Sequence, residues 1–170
     1  MDRLWAPWRL EYLVQQKPAG CIFCQQGDPR ELLILKTTPH AVIMLNRYPY
    51  TNGHLMVAPR RHTADLSSLS EPEMLELFRG VALCREALAA SCAPDGYNIG
   101  ANLGKAAGAG VDDHLHLHVV PRWNGDSNFI NVVADLRVIP EALQASMILM
   151  SAPFECPVAK VFVLLSRYFI

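Results

Sequence analysis

The sequence has no surplus of charge of either sign and no long apolar run. It holds 15 Lys and Arg against 16 Asp and Glu, so its net charge offers nothing to neutralise a polyphosphate backbone, and no nucleic-acid partner is expected. No apolar run reaches the roughly 18 to 20 residues that span a bilayer. The opening residues lack the apolar core of a signal peptide. These absences predict a soluble, cytoplasmic protein that binds no membrane.

Internal repeats, low-complexity linkers and a disulfide framework are also missing. The 170 residues, 51% of them hydrophobic, suffice for one well-buried core and are few for two. The five cysteines are odd in number, and a lone Cys-x-x-Cys pair in a reducing compartment is more often a metal or redox site than a disulfide. The sequence predicts one domain over residues 1–145, with an aromatic arm and a cysteine knuckle at its start, followed by an apolar tail over 146–170.

The apolar pattern predicts five short strands and one long helix. Ser70 followed by Glu73 is the signature of a helix capping box. Apolar residues then recur near helical spacing until about Ala90, namely Met74, Leu75, Phe78, Val81, Ala82 and Leu88. Strands are expected at Leu32 to Leu35, Ala41 to Leu45, His54 to Ala58, Tyr97 to Ala101 and His114 to His118. A sheet of about five antiparallel strands with one long helix and shorter flanking helices is an α+β domain.

Three of the six histidines fall in one short segment. In an extended strand, alternate side chains point to opposite faces, so His114, His116 and His118 line one face while Leu115 and Leu117 line the other. The face could be a solvated polar surface, a His-x-His metal site, or a site of covalent catalysis in which one imidazole is the nucleophile. A solvated face would draw on Lys, Glu, Thr or Ser rather than on a rare residue.

A glycine-rich loop, Gly104 to Gly110, precedes these histidines. Its free backbone N–H groups are suited to hold phosphate oxygens. The combination of imidazoles and such a loop favours phosphorus chemistry. The metalloenzyme alternative stays open and predicts a metal at His116 and His118.

The sequence around these histidines resembles the histidine-triad (HIT) family, in which histidines alternate with apolar residues and two further apolar residues follow. The likeness covers about residues 3–145 and points to the bacterial branch related to diadenosine tetraphosphate phosphorylases. Besides the histidine strand it rests on Trp5 to Tyr12, Asn46 to Tyr50, Gly53 to His62 and Pro121 to Ile130. It implies the histidine-triad fold and a nucleotidyl hydrolase or transferase that cleaves a dinucleoside polyphosphate or an adenylated small molecule at the α-phosphorus.

The resemblance also implies roles for individual residues. His116 matches the nucleophile that forms a covalent nucleotidyl-histidine, and His118 matches a phosphate contact that stabilises the leaving group. Asn46 matches a contact to the ribose hydroxyls. The base would be supported by the apolar region of Ile43, Leu45 and Leu55, and the phosphate loop would comprise Asn102, Gly108, Ala109 and Gly110. Relatives often carry Gln or Ser where Ala109 and Gly110 stand, so only backbone contacts are expected at that point.

Cys21 and Cys24 form half of a tetrahedral zinc site, and no second Cys-x-x-Cys pair supplies the other half. Zinc-containing relatives use a histidine after the third strand and the first histidine of the triad, positions that match His62 and His114. The resemblance therefore implies a closed, structural zinc site that leaves His116 free. The alternative is that both cysteines are buried without a metal. His54 is expected either beneath the nucleotide pocket or as a purely structural histidine.

Beyond about residue 143 the resemblance ends. The apolar tail should be covered by the domain or by a second copy of the chain, and family members are commonly homodimers, so a homodimer is expected. A second class of function also stays open: a nucleotide sensor or partner-binding module that keeps the same residues and turns over slowly.

Overall fold

The computed structural model describes residues 20–126 and 143–155, so the predicted aromatic arm and residues 156–170 of the tail lie outside the described residues. Five strands form one antiparallel sheet in the order β1-β2-β3-β5-β4. Their bounds are β1 (Ile34–Thr37), β2 (Ala41–Leu45), β3 (Leu55–Pro59), β4 (Gly96–Gly100) and β5 (Leu117–Arg122). The predicted α+β fold with a five-stranded antiparallel sheet is confirmed.

One long helix, α1 (Glu71–Cys92), packs across the sheet. Glu73 accepts hydrogen bonds from the backbone N–H and the hydroxyl of Ser70, at 2.8 and 3.0 Å, so the predicted capping box forms. A Cβ atom at Gly80 would come within 2.7 Å of Val57 on β3. The helix approaches the sheet this closely because Gly80 carries no side chain.

The predicted apolar face of α1 was wrong in part. Met74, Leu75 and Phe78 are exposed, with Phe78 at 69%. Of the predicted residues, Val81 and Leu88 are buried as expected, and Leu77, Cys84 and Ala87 complete the buried apolar side of the helix. Apolar residues lie on both sides of this helix, so their recurrence alone did not identify the side that faces the sheet.

A second helix, α2 (Leu143–Glu155), packs against α1. Met150 is buried in the same core as Leu88. Ser91 of α1 donates a hydrogen bond to the carbonyl of Leu149 at 3.3 Å. Within residues 20–126 and 143–155, no helix is long and apolar enough to cross a bilayer.

The two faces of the sheet carry different layers. Strand register aligns Leu45, Leu55 and Val119 across three strands, and these residues belong to the main core beneath α1. The neighbouring row aligns Met44, Met56 and His118. Met44 and Met56 belong to a smaller cluster on the opposite face with Phe23, Val42 and Ala58. The histidine face of the sheet is therefore the face that α1 leaves uncovered.

Two details of the expected strands need correction. Regular pairing of the last strand begins at Leu117, so His114 and His116 precede β5 rather than lie within it. The residues expected to support the base, Ile43, Leu45 and Leu55, lie in the core beneath α1 instead. Side chains alternate along a strand, and these three share the face of Val119 rather than that of His118.

Candidate active site

The four predicted metal ligands come together at one end of the histidine segment. Their ligand atoms all lie within 4.8 Å of one another. Nδ1 of His114 lies 3.1 Å from Sγ of Cys21 and 3.2 Å from Nδ1 of His62. Sγ of Cys24 lies 3.4 Å from Nδ1 of His62. Around a tetrahedral zinc the ligand atoms are about 3.3 to 3.8 Å apart, so this donor set fits one such ion.

The outer nitrogen of His114 is oriented by a hydrogen bond, and that of His62 lies near a carboxylate. Nε2 of His114 donates to the buried carbonyl of Pro59 at 2.8 Å, which leaves Nδ1 as the lone-pair nitrogen that faces the cysteines. Nε2 of His62 lies 3.7 Å from a carboxylate oxygen of Asp113. Burial lowers the pKa of His114 and keeps its ring neutral. His114 is therefore a neutral, oriented imidazole, the form of histidine that binds a metal.

His116 is held by the residue two positions before it. Its Nδ1–H donates to the backbone carbonyl of His114 at 2.9 Å. A carbonyl can only accept, so Nδ1 carries the proton and Nε2 keeps its lone pair. The buried ring of Phe23, from between the two knuckle cysteines, lies 4.9 Å from the His116 ring and 5.0 Å from that of His114, centroid to centroid. Burial lowers the pKa of His116, which makes it a neutral imidazole with an available lone pair.

His118 is held by His54, through a chain of hydrogen bonds that starts at the backbone. The N–H of Tyr50 donates to Nδ1 of His54 at 3.1 Å. Nδ1 is therefore an acceptor, and Nε2 of His54 must carry the proton. That nitrogen lies 2.9 Å from Nδ1 of His118. His118 accepts there and so carries its own proton on Nε2.

The two imidazoles thus offer opposite groups from adjacent positions. His116 offers a lone pair, while His118 offers an N–H, and their rings lie 4.8 Å apart. Among the described residues, Nε2 of His118 is buried without a hydrogen-bond partner. An unpaired buried donor is costly unless a ligand accepts from it. A lone pair beside a donor suits attack on a phosphorus atom whose oxygens carry negative charge.

Asn46 contacts His54, the hydrogen-bond partner of His118. Its Oδ1 accepts the backbone N–H of Tyr48 at 2.9 Å, which orients its Nδ2 toward Nδ1 of His54 at 3.2 Å. The structure therefore joins Asn46 to the histidine cluster.

The predicted phosphate loop, Gly104 to Gly110, lies between two segments that adjoin the site. It leaves β4 at Gly100, the register partner of His118, and returns to the chain at His114. Gly104 and Gly108 adopt φ values of +82° and +87° at the ends of a short 3-10 helix, a backbone shape that favours glycine. Within residues 20–126, the loop residues proposed for phosphate make no hydrogen bond to a histidine: Asn102, Gly108, Ala109 and Gly110.

His54 is the site residue whose role the sequence did not decide. It is fully buried, and its contact with His118 crosses from the start of β3 to β5. His54 directly follows Asn52-Gly53, a pair typical of a tight turn, so the sequence predicted only that His54 starts a strand. Only the register of β3 with β5 could reveal its partner.

A sequence profile of the HIT domain matches residues 30–125 of this chain. A protein of Mycobacterium tuberculosis described as an AP-4-A phosphorylase is 36% identical over 155 residues, which cover 85% of this chain and 80% of that protein. An uncharacterised HIT-like protein of Saccharolobus solfataricus is 33% identical over 111 residues, 65% of this chain and 79% of that protein.

Solved structures agree on the fold. A zinc-bound histidine-triad protein from Mycobacterium smegmatis superposes with a TM-score of 0.59 at 32% identity, covering 72% of this chain and 83% of that one. A diadenosine triphosphate hydrolase of Plasmodium falciparum gives 0.57 at 20% identity, covering 75% and 78%. At that identity the second likeness concerns the fold alone.

The buried histidine pair predicts an acid-sensitive fold. Burial lowers the pKa of His54 to about 3 and that of His118 to about 4. Between pH 6.5 and 4 the unfolded chain binds protons that the folded chain refuses, so stability falls as the pH falls. We expect the free energy of unfolding, from urea titrations, to drop by about 2 kcal/mol or more between pH 7 and pH 4.5.

Because carboxylates also titrate in acid, the control is the double variant His54→Gln/His118→Gln. Its stability should depend less steeply on pH than that of the wild type, whereas His40→Gln, at an exposed position, should keep the wild-type slope. Equal slopes in the wild type and the double variant would contradict the assignment of neutral, buried imidazoles.

Proposed function

This chain belongs to the histidine-triad (HIT) family of nucleotide hydrolases and transferases, and we propose that it cleaves a dinucleoside polyphosphate or an adenylated small molecule at the α-phosphorus. The observation that carries the proposal is the set of hydrogen-bond partners of His116, His54 and His118, from which opposite proton positions follow for His116 and His118. One imidazole can attack while its neighbour donates to the group under attack.

The first step forms a covalent nucleotidyl-histidine. Nε2 of His116 attacks the α-phosphorus, a P–N bond forms, and the P–O bond to the leaving group breaks. The leaving oxygen departs with the electron pair. The N–H of His118 donates to a phosphoryl oxygen as charge develops there. Meanwhile the carbonyl of His114 keeps accepting from Nδ1 of His116, which stabilises the positive charge that the imidazole gains.

The second step returns His116 to its free form. An acceptor oxygen attacks the same phosphorus, the P–N bond breaks, and the electron pair returns to Nε2. With water as the acceptor, the attacking water loses a proton to solvent and the product is a nucleoside monophosphate. With orthophosphate it is a nucleoside diphosphate. The acceptor alone sets the product, because both routes share one intermediate.

The substrate class is supported by the relative from Mycobacterium tuberculosis, whose description as an AP-4-A phosphorylase names a dinucleoside polyphosphate substrate. We propose that Asn46 contacts the ribose hydroxyls, since its amide already borders the histidine cluster. The loop would bind phosphate oxygens through backbone N–H groups, with contributions from Asn102, Gly108, Ala109 and Gly110.

We further propose that the knuckle binds a structural zinc ion through Cys21, Cys24, His62 and His114. The support is a set of four donors whose ligand atoms lie within 4.8 Å of one another, with His114 oriented by its hydrogen bond to Pro59. A bound ion would fix the His114 backbone, whose carbonyl orients His116. Within the described residues, the clustered metal-ligand set does not include His116 or His118, which favours the nucleotidyl-histidine mechanism over a catalytic metal at those two residues.

A cytoplasmic homodimer completes the proposal. Leu75 and Phe78 expose 51% and 69% of their surface on α1, and Ile99 exposes 49% on the edge strand β4. Apolar side chains of this size at a sheet edge and on a neighbouring helix suit a second copy of the chain. The residues 1–145 would form the histidine-triad domain, with the tail 146–170 covered by it or by the partner. The mass at sedimentation equilibrium distinguishes one chain from two.

The acceptor is tested by incubating the protein with diadenosine tetraphosphate, with and without orthophosphate, and separating the nucleotides. Adenosine diphosphate that appears only with phosphate means phosphorolysis, and adenosine monophosphate in both reactions means hydrolysis. Replacement of His116 by Asn should remove nearly all turnover while nucleotide binding stays within about tenfold, because binding rests mainly on other groups.

The matched control for that variant is His40→Asn, which removes an exposed histidine outside the site and should keep wild-type turnover. Wild-type rates in His116→Asn would rule out the covalent mechanism. If the wild type cleaves neither diadenosine tetraphosphate nor an adenosine phosphoramidate, the chain acts as a nucleotide-binding module instead.

The zinc proposal is tested by metal content and melting temperature together. The wild type should hold one zinc per chain, and Cys24→Ala should lose it and melt several degrees lower, because the ion is bound by the folded state. Cys92→Ala removes a cysteine outside the donor set and should retain the metal. A metal-free wild type that melts at the same temperature with and without added zinc would refute the site.

A further inference from the structure

The ring of Tyr50 lies over the histidine pair that carries the donor of the site. Its centroid is 4.6 Å from that of His54 and 5.7 Å from that of His118. The tyrosine itself is 40% exposed, whereas His54 is fully buried and His118 is 9% exposed. The ring therefore lies between the solvent and the pair.

Tyr50 also acts on the pair through its backbone. Its N–H is the donor that makes Nδ1 of His54 an acceptor. Tyr50 thus contacts the His54 imidazole twice: its ring packs on the imidazole ring, and its backbone N–H donates to Nδ1.

The loop that carries Tyr50 is fixed at several points. The N–H of Asn46 donates to the carbonyl of His54 at 2.9 Å, and the N–H of His54 donates to that of Thr51 at 3.2 Å. The hydroxyl of Thr51 donates to the carbonyl of Pro121 on β5 at 3.1 Å. Gly53 closes the turn at φ +72°. These bonds hold the loop against the strand that carries His118.

Among the described residues, the side chains that contact the His54–His118 pair include no carboxylate. His118 meets His54 and His116, and His54 meets His118, His116 and the amide of Asn46. Without a carboxylate nearby, nothing favours an imidazolium, and exclusion of water disfavours it further. A residue that keeps water away therefore decides whether the pair stays neutral.

We propose that Tyr50 is a positioning residue that keeps the His54–His118 pair dry and directs the N–H of His118 toward the substrate. This inference rests on the proposed function for its catalytic meaning. If water reached the pair, the pKa of His118 would rise, and a ring that takes up a second proton at Nδ1 can no longer accept from His54. The bond that orients the His118 ring would then be lost.

The first test does not depend on turnover. In the free protein with labelled histidine, the pKa of His118 is followed by NMR in the wild type, Tyr50→Phe and Tyr50→Ala. Burial holds that pKa at about 4. Tyr50→Ala should raise it by about one unit or more, and Tyr50→Phe, which keeps the ring, should leave it within about 0.3 units. A His118 pKa that stays within about 0.3 units of wild type in Tyr50→Ala would overturn the proposal.

A second substitution at the same position controls for misfolding of Tyr50→Ala. Tyr50→Gln replaces the aromatic ring with a polar side chain of similar length, which lets water reach the pair. It should therefore move the pKa of His118 in the same direction as Tyr50→Ala does. Tyr48→Ala removes a neighbouring tyrosine of matched exposure, 42%, and should leave that pKa unchanged. An equal shift in Tyr48→Ala would mean that any loss from this loop exposes the pair, which contradicts a specific role of Tyr50.

The catalytic readout is the pH dependence of kcat/KM for diadenosine tetraphosphate cleavage. The acid limb reports ionisation in the free enzyme, so Tyr50→Ala should move it to higher pH by the shift seen in NMR, with Tyr50→Phe at the wild-type position. If Tyr50→Ala shifts the His118 pKa but the wild type shows no turnover, the proposed function is rejected and the positioning of His118 by Tyr50 still stands. An unmoved acid limb in a variant whose His118 pKa has shifted would show that Tyr50 does not act on the reaction through His118.

Discussion

Two backbone groups decide where the protons of the paired imidazoles lie. The carbonyl of His114 can only accept, so the facing nitrogen of His116 holds a proton and its outer nitrogen is bare. The N–H of Tyr50 can only donate, and His54 transmits that constraint to His118 with the opposite result. Backbone groups do not titrate, so this assignment is independent of pH as long as the rings stay neutral.

The rest of the structure serves to keep those rings neutral and in place. The sheet buries the histidines on the face opposite α1, among the small cluster that includes Phe23 and Met56. Phe23 belongs to the turn between the knuckle cysteines and packs on both His114 and His116. The knuckle is therefore joined to the nucleophile twice, through an aromatic contact and through the His114 carbonyl. Such a link explains why a structural metal would lie next to a reaction that does not use it.

Much of the fold and of the candidate site could be predicted from the sequence, because these features depend on residues that are close together in the chain. The capping box fixed the start of α1, and alternation of histidine with leucine predicted the shared face. The parts that failed depend on how the elements pack: which side of α1 faces the sheet, and which face of the sheet α1 covers. Leu45 and Leu55 were expected at the nucleotide base, but the registers of β2, β3 and β5 align them with Val119 in the core beneath α1. The register of β3 with β5 joins His54 to His118, a contact 64 residues apart that no local pattern encodes.

The most direct test of the central claim is the tautomeric state of the two histidines in the free protein. Two-bond proton–nitrogen correlation spectra of histidine-labelled protein at neutral pH distinguish a protonated from a bare ring nitrogen. We expect His116 to be protonated at Nδ1 and bare at Nε2, and His118 to be bare at Nδ1 and protonated at Nε2. The same tautomer on both rings, or an imidazolium on either, would contradict this assignment.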